Sequence, residues 1–339
     1  MPHSEFVHLH LHTQYSLLDG ACRIPEILSI AKSFRMNSLA ITDHGSMFGA
    51  IDFYLEAQKA GIKPIIGCEA YIAPQSRLDK SSGSILEAAH HLILLARNEE
   101  GYHNLMKLVS IGYLEGFYYR PRIDKEVLAQ HAKGLVASSA CLKGEISVLL
   151  TQKRFNDALK VADTYQNILG KGNFYLEIQS NSIPEQKIVN EGMLKISKEL
   201  GIPLLATNDV HYPTKDQAAA HEALLCIQTQ TTLDDPNRMR FQGDDFYFRS
   251  PEERIHLFRH FPEAIKNSLE IAERCNLELD FSTMHLPKYI PPENKDKEVF
   301  LLELCEKGMA DKELENNPEI AKRLAHELKI IKDMGFISY

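Results

Sequence analysis

The sequence predicts an α/β protein built on a parallel sheet of about seven β/α units, closed as a barrel. Three observations lead there. From Phe6 to Asp209 short apolar runs alternate with segments of helical spacing, the pattern of parallel strands joined by helices. No glycine-rich phosphate loop follows the first strand, which weakens the open, doubly wound alternative. Residues of metal-ligand type stand at the carboxyl ends of the apolar runs, where closed barrels gather their functional groups. They are Asp43, His44, Cys141, Asp209 and His211.

Strands are expected at 6–12, 38–43, 64–72, 91–97, 135–140, 174–179 and 203–208. The first reads FVHLHLHT. Alternate residues of a strand point to opposite faces, so His8, His10 and His12 are expected on one side and Val7, Leu9 and Leu11 on the other. Two imidazoles spaced i, i+2 can reach one ion or two adjacent ions. Helical segments follow at Ile24–Lys32, Ala50–Ala57, Asn98–Leu108, Arg154–Ala162 and Glu185–Leu200. Ligand types recur beyond the later strands: Asp43-His44 after Leu39-Ala-Ile-Thr, Glu69 after Ile65-Ile-Gly-Cys, Cys141 after Leu135-Val-Ala-Ser-Ser-Ala, and Asp209-Val-His211 after Leu204-Leu-Ala-Thr-Asn. One pair breaks the rule. His90 and His91 precede their apolar run, so either that strand runs the other way or the barrel is distorted there. Residues 74–87 form a polar loop.

After Tyr212 the alternation ends, and 217–229 and 252–275 read as helices packing on the barrel. Phe281 to Glu293, with Pro287, Pro291 and Pro292, reads as a linker, and Lys297 to Met334 as charged and helical. The last residues, Gly335 to Tyr339, are apolar and unsupported, as at an internal point of a longer chain. The expected division is therefore a barrel domain over 1–280 and an appended segment over 281–339.

Composition narrows the function. With 44% hydrophobic and 25% charged residues the chain is of ordinary globular type. No apolar run approaches the ~20 residues of a bilayer span, and the N-terminus has no basic region followed by an apolar one, so a cytoplasmic protein without a membrane is expected. Six scattered cysteines without a C-x-x-C pair speak against a disulfide framework or a zinc ribbon. A net charge of −8 speaks against broad electrostatic binding of nucleic acid, although a cluster of divalent ions would reverse that locally.

The motifs FVHLHLHT, LLDG (17–20), ITDHG (41–45), PIIGCEAYIA (64–73), HHLILLARNEEGYHNL (90–105), GFYYRPRID (116–124), SSACLKGEI (138–146), ATNDVHY (206–212), FYFRSPEE (246–253) and the final MGFISY together resemble one family. It is the polymerase-and-histidinol-phosphatase (PHP) domain that opens the α subunit of bacterial replicative DNA polymerase III. The resemblance implies a distorted seven-stranded β/α barrel with up to three divalent ions, zinc foremost and manganese, iron or magnesium as alternatives. Carried over position by position, it implicates His10, His12, Asp19, His44, Glu69, His91, Cys141, Asp209 and His211 as ligands, with His90 the alternative to His91. Asp19, His12 and His44 are expected to carry catalysis. Asp43 is expected as an orienting partner for a ligand, Glu177 stands near the set without an assigned role, and His8 lies outside the ligand set, behind the ligands or in the barrel interior. A thiolate among imidazoles and carboxylates points toward zinc or a similar borderline ion.

Hydrolysis of a phosphate ester is the reaction class such a site serves. The resemblance implies removal of the 3′-terminal nucleotide of DNA, with Arg120, Arg122 and Lys143 as candidates to grip substrate phosphates. Partners implied are a DNA 3′ end, the remainder of the polymerase α subunit, a separate proofreading exonuclease subunit and the sliding-clamp holoenzyme. The family's polymerase carboxylates lie beyond Tyr339, so this chain is not expected to incorporate nucleotides. Two other readings stand beside this one. One is a metal-stabilised scaffold that docks a proofreading subunit without hydrolysing anything; the other is a free-standing phosphoesterase, against which the tail from Pro292 to Tyr339 speaks.

Overall fold

The computed structural model describes residues 3–17, 19–81, 88–283 and 286–339. The expected loop at 74–87 falls partly outside them. The chain divides into two units, Met1–Glu278 and Leu279–Tyr339.

Eight strands among the described residues form the first unit's sheet: β1 (Ser38–Ile41), β2 (Lys63–Ile72), β3 (His90–Ala96), β4 (Phe117–Tyr118), β5 (Arg120–Ile123), β6 (Leu135–Ser138), β7 (Phe174–Gln179) and β8 (Leu204–Thr207). The main order is β1-β2-β3-β6-β7-β8, with β5 on the end of β2 and β4 on β5. The β1–β2, β6–β7 and β7–β8 pairs are parallel, whereas β3 is antiparallel to both neighbours. The reversal suspected at His90–His91 is therefore real. It places the N-terminal end of β3 among the carboxyl ends of the other strands.

The first expected strand is extended chain without a regular ladder. Ala40 N–H donates to the His8 carbonyl (3.0 Å) and Thr42 N–H to that of Leu11 (2.8 Å). On the other side His12 N–H donates to Val210 O (2.8 Å) and Val210 N–H to His10 O (3.1 Å). The segment thus links the β1 edge to the chain just beyond β8 and acts as the seventh stave of the distorted barrel. Four residues from His8 to Leu11 oppose three from Ala40 to Thr42, so one residue is extra. Such a bulge breaks the alternation of side chains. His8 accordingly does not share a face with His10 and His12. Its ring packs against Phe6 and Phe248, and its Nε2 meets the Arg249 carbonyl at 2.9 Å.

Val7 and Leu9 join Ala40, Ile65, Ile93, Leu95, Val136, Tyr175 and Leu205 in a buried apolar cluster. On the regular strands Glu69 shares parity with Ile65, His91 with Ile93, and Glu177 with Tyr175. One face of the curled sheet therefore carries apolar side chains at one end and ionisable ones at the other.

Among the described residues ten α-helices flank it: α1 (Ile24–Ser33), α2 (Ala50–Ala60), α3 (Glu99–Leu114), α4 (Lys125–Gln130), α5 (Glu145–Thr151), α6 (Phe155–Leu169), α7 (Pro184–Leu200), α8 (Ala218–Thr229), α9 (Pro251–Leu257) and α10 (Pro262–Arg274). The expected 252–275 region is two helices because Pro262, which lacks an N–H, can start a helix but not continue one. Ser250 and Glu253 close a reciprocal cap on α9. Ile271 and Ala272 of α10, with Cys275 beyond it, complete the inner cluster.

In the second unit the charged stretch is also two helices, α11 (Lys297–Asp311) and α12 (Pro318–Asp333). Asp296 and Asn317 cap them by accepting from backbone N–H groups, and Pro318 takes the first turn of α12. No residue of either helix is buried.

The inner cluster predicts a contrast in stability. Ile93→Ala, at a site 1% exposed, is expected to cost about 2–5 kcal/mol of unfolding free energy. Leu114→Ala, at a site 85% exposed, should cost under about 0.5 kcal/mol. Urea denaturation of both variants measures the difference.

Candidate metal centre

Glu69 of β2 is fully buried, and four other segments aim donors at it. Its Oε2 lies 2.6 Å from His44 Nδ1 and 3.7 Å from His12 Nε2; its Oε1 lies 2.9 Å from His91 Nδ1 and 3.3 Å from His10 Nε2. Cys141 Sγ sits 3.9 Å from the same Oε1 and 3.7 Å from His91 Nδ1. Asp209 Oδ1 forms a second focus, 3.1 Å from His10 Nε2, 3.2 Å from His12 Nε2 and 3.4 Å from His211 Nδ1. Asp19 bridges His44 Nε2 and His211 Nε2, each at 3.3 Å. All nine expected ligand residues thus meet in one cluster. His91 is the member of its pair that enters it.

Local backbone choices place these groups. The bulge re-aims His10 and His12. Gly45, at φ 57, follows His44 where a Cβ would lie 2.8 Å from Pro121 and 2.9 Å from the Tyr71 ring, so only glycine lets the turn pack there. Asp209 (φ 52) and Ala140 (φ 57), the latter just before Cys141, also hold left-handed backbone, a cost of about 1–3 kcal/mol each that the surrounding packing must sustain. The buried Arg254 braces the first of these turns, donating to Asn208 Oδ1 (2.8 Å) and to the Thr207 carbonyl.

An outer ring fixes the imidazoles. Glu177 accepts from His10 Nδ1 (3.0 Å) and is itself held by the Ser138 and Thr207 hydroxyls, which gives it an orienting role that the sequence left unassigned. Ser16 Oγ donates to Asp43 (2.7 Å), so its contact with His12 Nδ1 (3.1 Å) must be accepted from the ring. That leaves a lone pair on His12 Nε2, facing the cluster. Asp43 thus acts one residue removed from a ligand, and also binds Thr13 N–H at 2.7 Å. His221, which sequence reasoning passed over, meets the Asp19 carbonyl at 2.7 Å.

Six inward atoms are buried without a hydrogen-bond partner: His10 Nε2, His12 Nε2, His44 Nδ1, Asp19 Oδ1, Glu69 Oε2 and Asp209 Oδ1. They face one another or a neighbouring imidazole at ion-pair distance without hydrogen bonds of good geometry, an arrangement that a common cationic partner would satisfy. Divalent cations fit. Three groups have their donor atoms within 4.8 Å of one another: His10, His12 and Glu69; His44, Glu69 and His91; His12, His44 and His211. Burial, with His44 and His211 nearby, pushes His12 down to about 3 and keeps it a neutral ligand. Burial also works to lower His10, but Asp209 and Glu177 outweigh it and hold that ring well above its ordinary value. Burial works to raise Glu69, Asp19 and Asp209, yet the surrounding imidazoles keep all three well below the usual carboxylate range. The cluster is held together by opposite charge.

A cleft of about 320 Å³ opens onto the donors, lined among others by Asp19, His91, Lys143, Arg240 and Phe241. Lys143 therefore stands at the mouth, and Arg120 lines the adjoining space with its guanidinium 5.7 Å from the Tyr71 ring centre. Arg122 does not. It is 1% exposed, and its guanidinium donates to the carbonyls of Gly116, Ala88, Arg77 and Asp79 beneath the Tyr118 ring. It ties the β5 region together, with four of its five N–H groups used and its side chain buried away from the cleft. Arg240, unassigned from sequence, supplies a cation at the mouth instead; the run Arg238-Met-Arg240-Phe241 was the available signal.

The family model of the PHP domain matches residues 8–181, about half of the chain and most of the cluster. The chain belongs to the PHP-domain family. Among curated proteins this PHP domain is 44% identical over 340 residues to DNA polymerase III subunit alpha of Treponema pallidum and 46% identical over 338 residues to that of Borreliella burgdorferi. It is 44% identical over 317 residues to the Thermus aquaticus protein. The first match covers 100% of the chain and the second 99%, but each only 29% of the relative, so the chain spans under a third of those proteins. Solved structures overlay loosely. An amidohydrolase from Chromobacterium violaceum gives a TM-score of 0.38 at 17% identity, over 62% of this chain and 89% of that one. A two-domain Bacteroides vulgatus protein containing a predicted PHP-like metal-dependent phosphoesterase gives 0.37 at 10%, over 84% and 75%.

The Ser16 contact predicts a measurable effect outside the ligand set. Ser16→Ala removes the group that fixes the His12 tautomer and is expected to weaken divalent-ion affinity about 10- to 100-fold, read by competition with a chromophoric chelator. An unchanged affinity would show that His12 is not a ligand.

Proposed function

We propose that this PHP domain hydrolyses phosphodiesters at the 3′ end of DNA, as the metal-dependent part of a replicative polymerase α subunit. The observation that carries the reading is the convergence of nine ligand-type side chains, six with unpartnered inward atoms, at the foot of an open cleft with cations at its mouth. Bound divalent ions, zinc foremost given the Cys141 thiol among imidazoles and carboxylates, would supply charge for the phosphoryl oxygens and acidify a water. Manganese, iron or magnesium would serve the same chemistry.

The chain's own groups do the rest. Lys143 and Arg120 grip the phosphate flanking the scissile bond. Asp19 is held between His44 and His211 at the open end, with 12% of its side chain exposed, and is the carboxylate that meets substrate most directly. His12 and His44 stack beside it, ring centres 4.1 Å apart. Residues 281–339 lead toward the polymerase palm, and the rest of that subunit delivers a frayed 3′ end. A cytoplasmic setting and contacts with a proofreading subunit and the sliding-clamp holoenzyme belong to the same reading. Among the described residues no helix is long and apolar enough to cross a membrane.

One observation favours a second reading, in which the ions serve only the fold: the side chains of His10, His12 and Glu69 have no surface exposed to water. The two readings part on one experiment. Metal-analysed protein is expected to release mononucleotides from 3′-labelled single-stranded DNA, and Asp19→Asn to lower the rate at least about 100-fold with its circular dichroism spectrum retained. No release from fully metallated protein would leave the scaffold.

A further inference from the structure

Beside the donor cluster runs a second cleft, of about 210 Å³, whose outer walls are aromatic. Phe48, Tyr113, Phe117 and Tyr119 line it and are 59%, 40%, 50% and 50% exposed. The rings follow one another. Phe48 and Tyr113 are 6.3 Å apart between centres, and Tyr113 and Phe117 are again 6.3 Å apart with an interplanar angle of 28°. At the inner end the cleft is walled by Asp19, His44 and Tyr71, so it opens directly onto the candidate metal centre. Arg120 is part of the same wall.

The rings come from three separate places: the turn before α2, the end of α3, and the β4–β5 hairpin. No single amphipathic element explains their meeting. Rings left half in water forgo part of the gain that burial would bring, so four lining one cleft mark a binding surface. A chain of net charge −8 gains little from bulk attraction to phosphates, so beyond the few cations at the site a strand would need a further interaction to hold it. Base stacking is that interaction, because every base has a π-face and the contact tolerates any sequence.

We propose that this cleft is a stacking track for the unpaired bases of a single-stranded nucleic acid whose terminal phosphodiester lies at the donor cluster. Phe48, Tyr113 and Phe117 take the bases, and Arg120 neutralises the phosphate where the strand turns toward Asp19. The inference rests on the hydrolytic reading for its direction, but its test does not.

The test compares binding of a fluorescein-labelled oligothymidylate with that of an abasic strand of equal length, by anisotropy on the full 339-residue chain. Both carry cleavage-resistant terminal phosphorothioates. The base-bearing strand is expected to bind at least about tenfold more tightly than the abasic one. Phe48→Ala with Phe117→Ala should remove most of that difference while leaving abasic binding unchanged, and Phe117→Trp should preserve it. Equal affinity for the two strands, or a double variant that binds as the parent does, overturns the track and points to a protein covering these rings. Hydrolysis of bis(p-nitrophenyl) phosphate, which has no base to stack, is measured alongside and should be equal in parent and double variant. Its absence in both, with base-dependent binding intact, would overturn the hydrolytic reading and support the track alone.

Discussion

A carboxylate sealed from water at the middle of the molecule is the constraint to which the rest of this structure answers. An ionised Glu69 without compensation would cost several kcal/mol, more than a marginally stable domain can lose. The chain surrounds it with four imidazoles and a thiol. They come from four separate staves or stave ends: His10 and His12 from the N-terminal segment, His44 beyond β1, His91 at the head of β3, Cys141 beyond β6. The barrel is the device that lets segments distant in sequence meet at one carboxylate. Its inner cluster, from Val7 to Cys275, fixes their spacing.

Two departures from regular geometry follow from this demand. A parallel barrel brings carboxyl ends together, so a ligand at the start of a strand would ordinarily lie at the wrong end. Reversing β3 moves His91 to the right one, and the antiparallel pairs Tyr71 with His91 and Glu69 with Ile93 set it beside the carboxylate. The second departure is the bulge between His8 and Leu11. With strict alternation, a face carrying Val7 and Leu9 into the apolar cluster could not also carry His10 and His12 to the metal centre. One extra residue lets the same short segment seal the core and supply two donors.

These features also set what the sequence could tell. The seven staves were legible because buried parallel strands are short apolar runs bounded by turns, and the donors were legible because they recur at run ends. The reversal at His91 was visible as a violation of that rule. The bulge was not, since HLHLH reads as an unbroken period of two; only the pairing with Ala40 and Thr42 reveals the added residue. Arg122 misled for a different reason. An arginine in a polar motif beside a phosphoesterase-type site reads as a phosphate ligand, whereas four carbonyls left without partners at the β5 edge needed one planar, multi-donor group. Arg240 went unassigned because a cation on an irregular loop carries no periodicity.

The cluster grades from sealed to open, and that gradient reconciles structural and chemical roles within one site. Glu69, His10 and His12 are 0% exposed, while the side chains of Asp19 and His44 are 12% and 15% exposed and face the clefts. Cations at the sealed end would be bound by groups that no substrate can displace, so their contribution is to compensate buried charge and hold the staves in register. Cations at the open end would share their coordination with whatever enters, and only there can binding do chemistry. Because Glu69 and His12 contribute donors to both ends, loss of either would disturb the stabilising and the reactive parts together. Loss of an outer ligand such as Asp19 leaves the buried carboxylate compensated and the fold intact, whereas loss of an inner imidazole exposes Glu69 to the full penalty of burial. A PHP domain built this way tolerates loss of an outer donor such as Asp19 better than loss of a single inner one, because only the inner donors compensate the buried carboxylate.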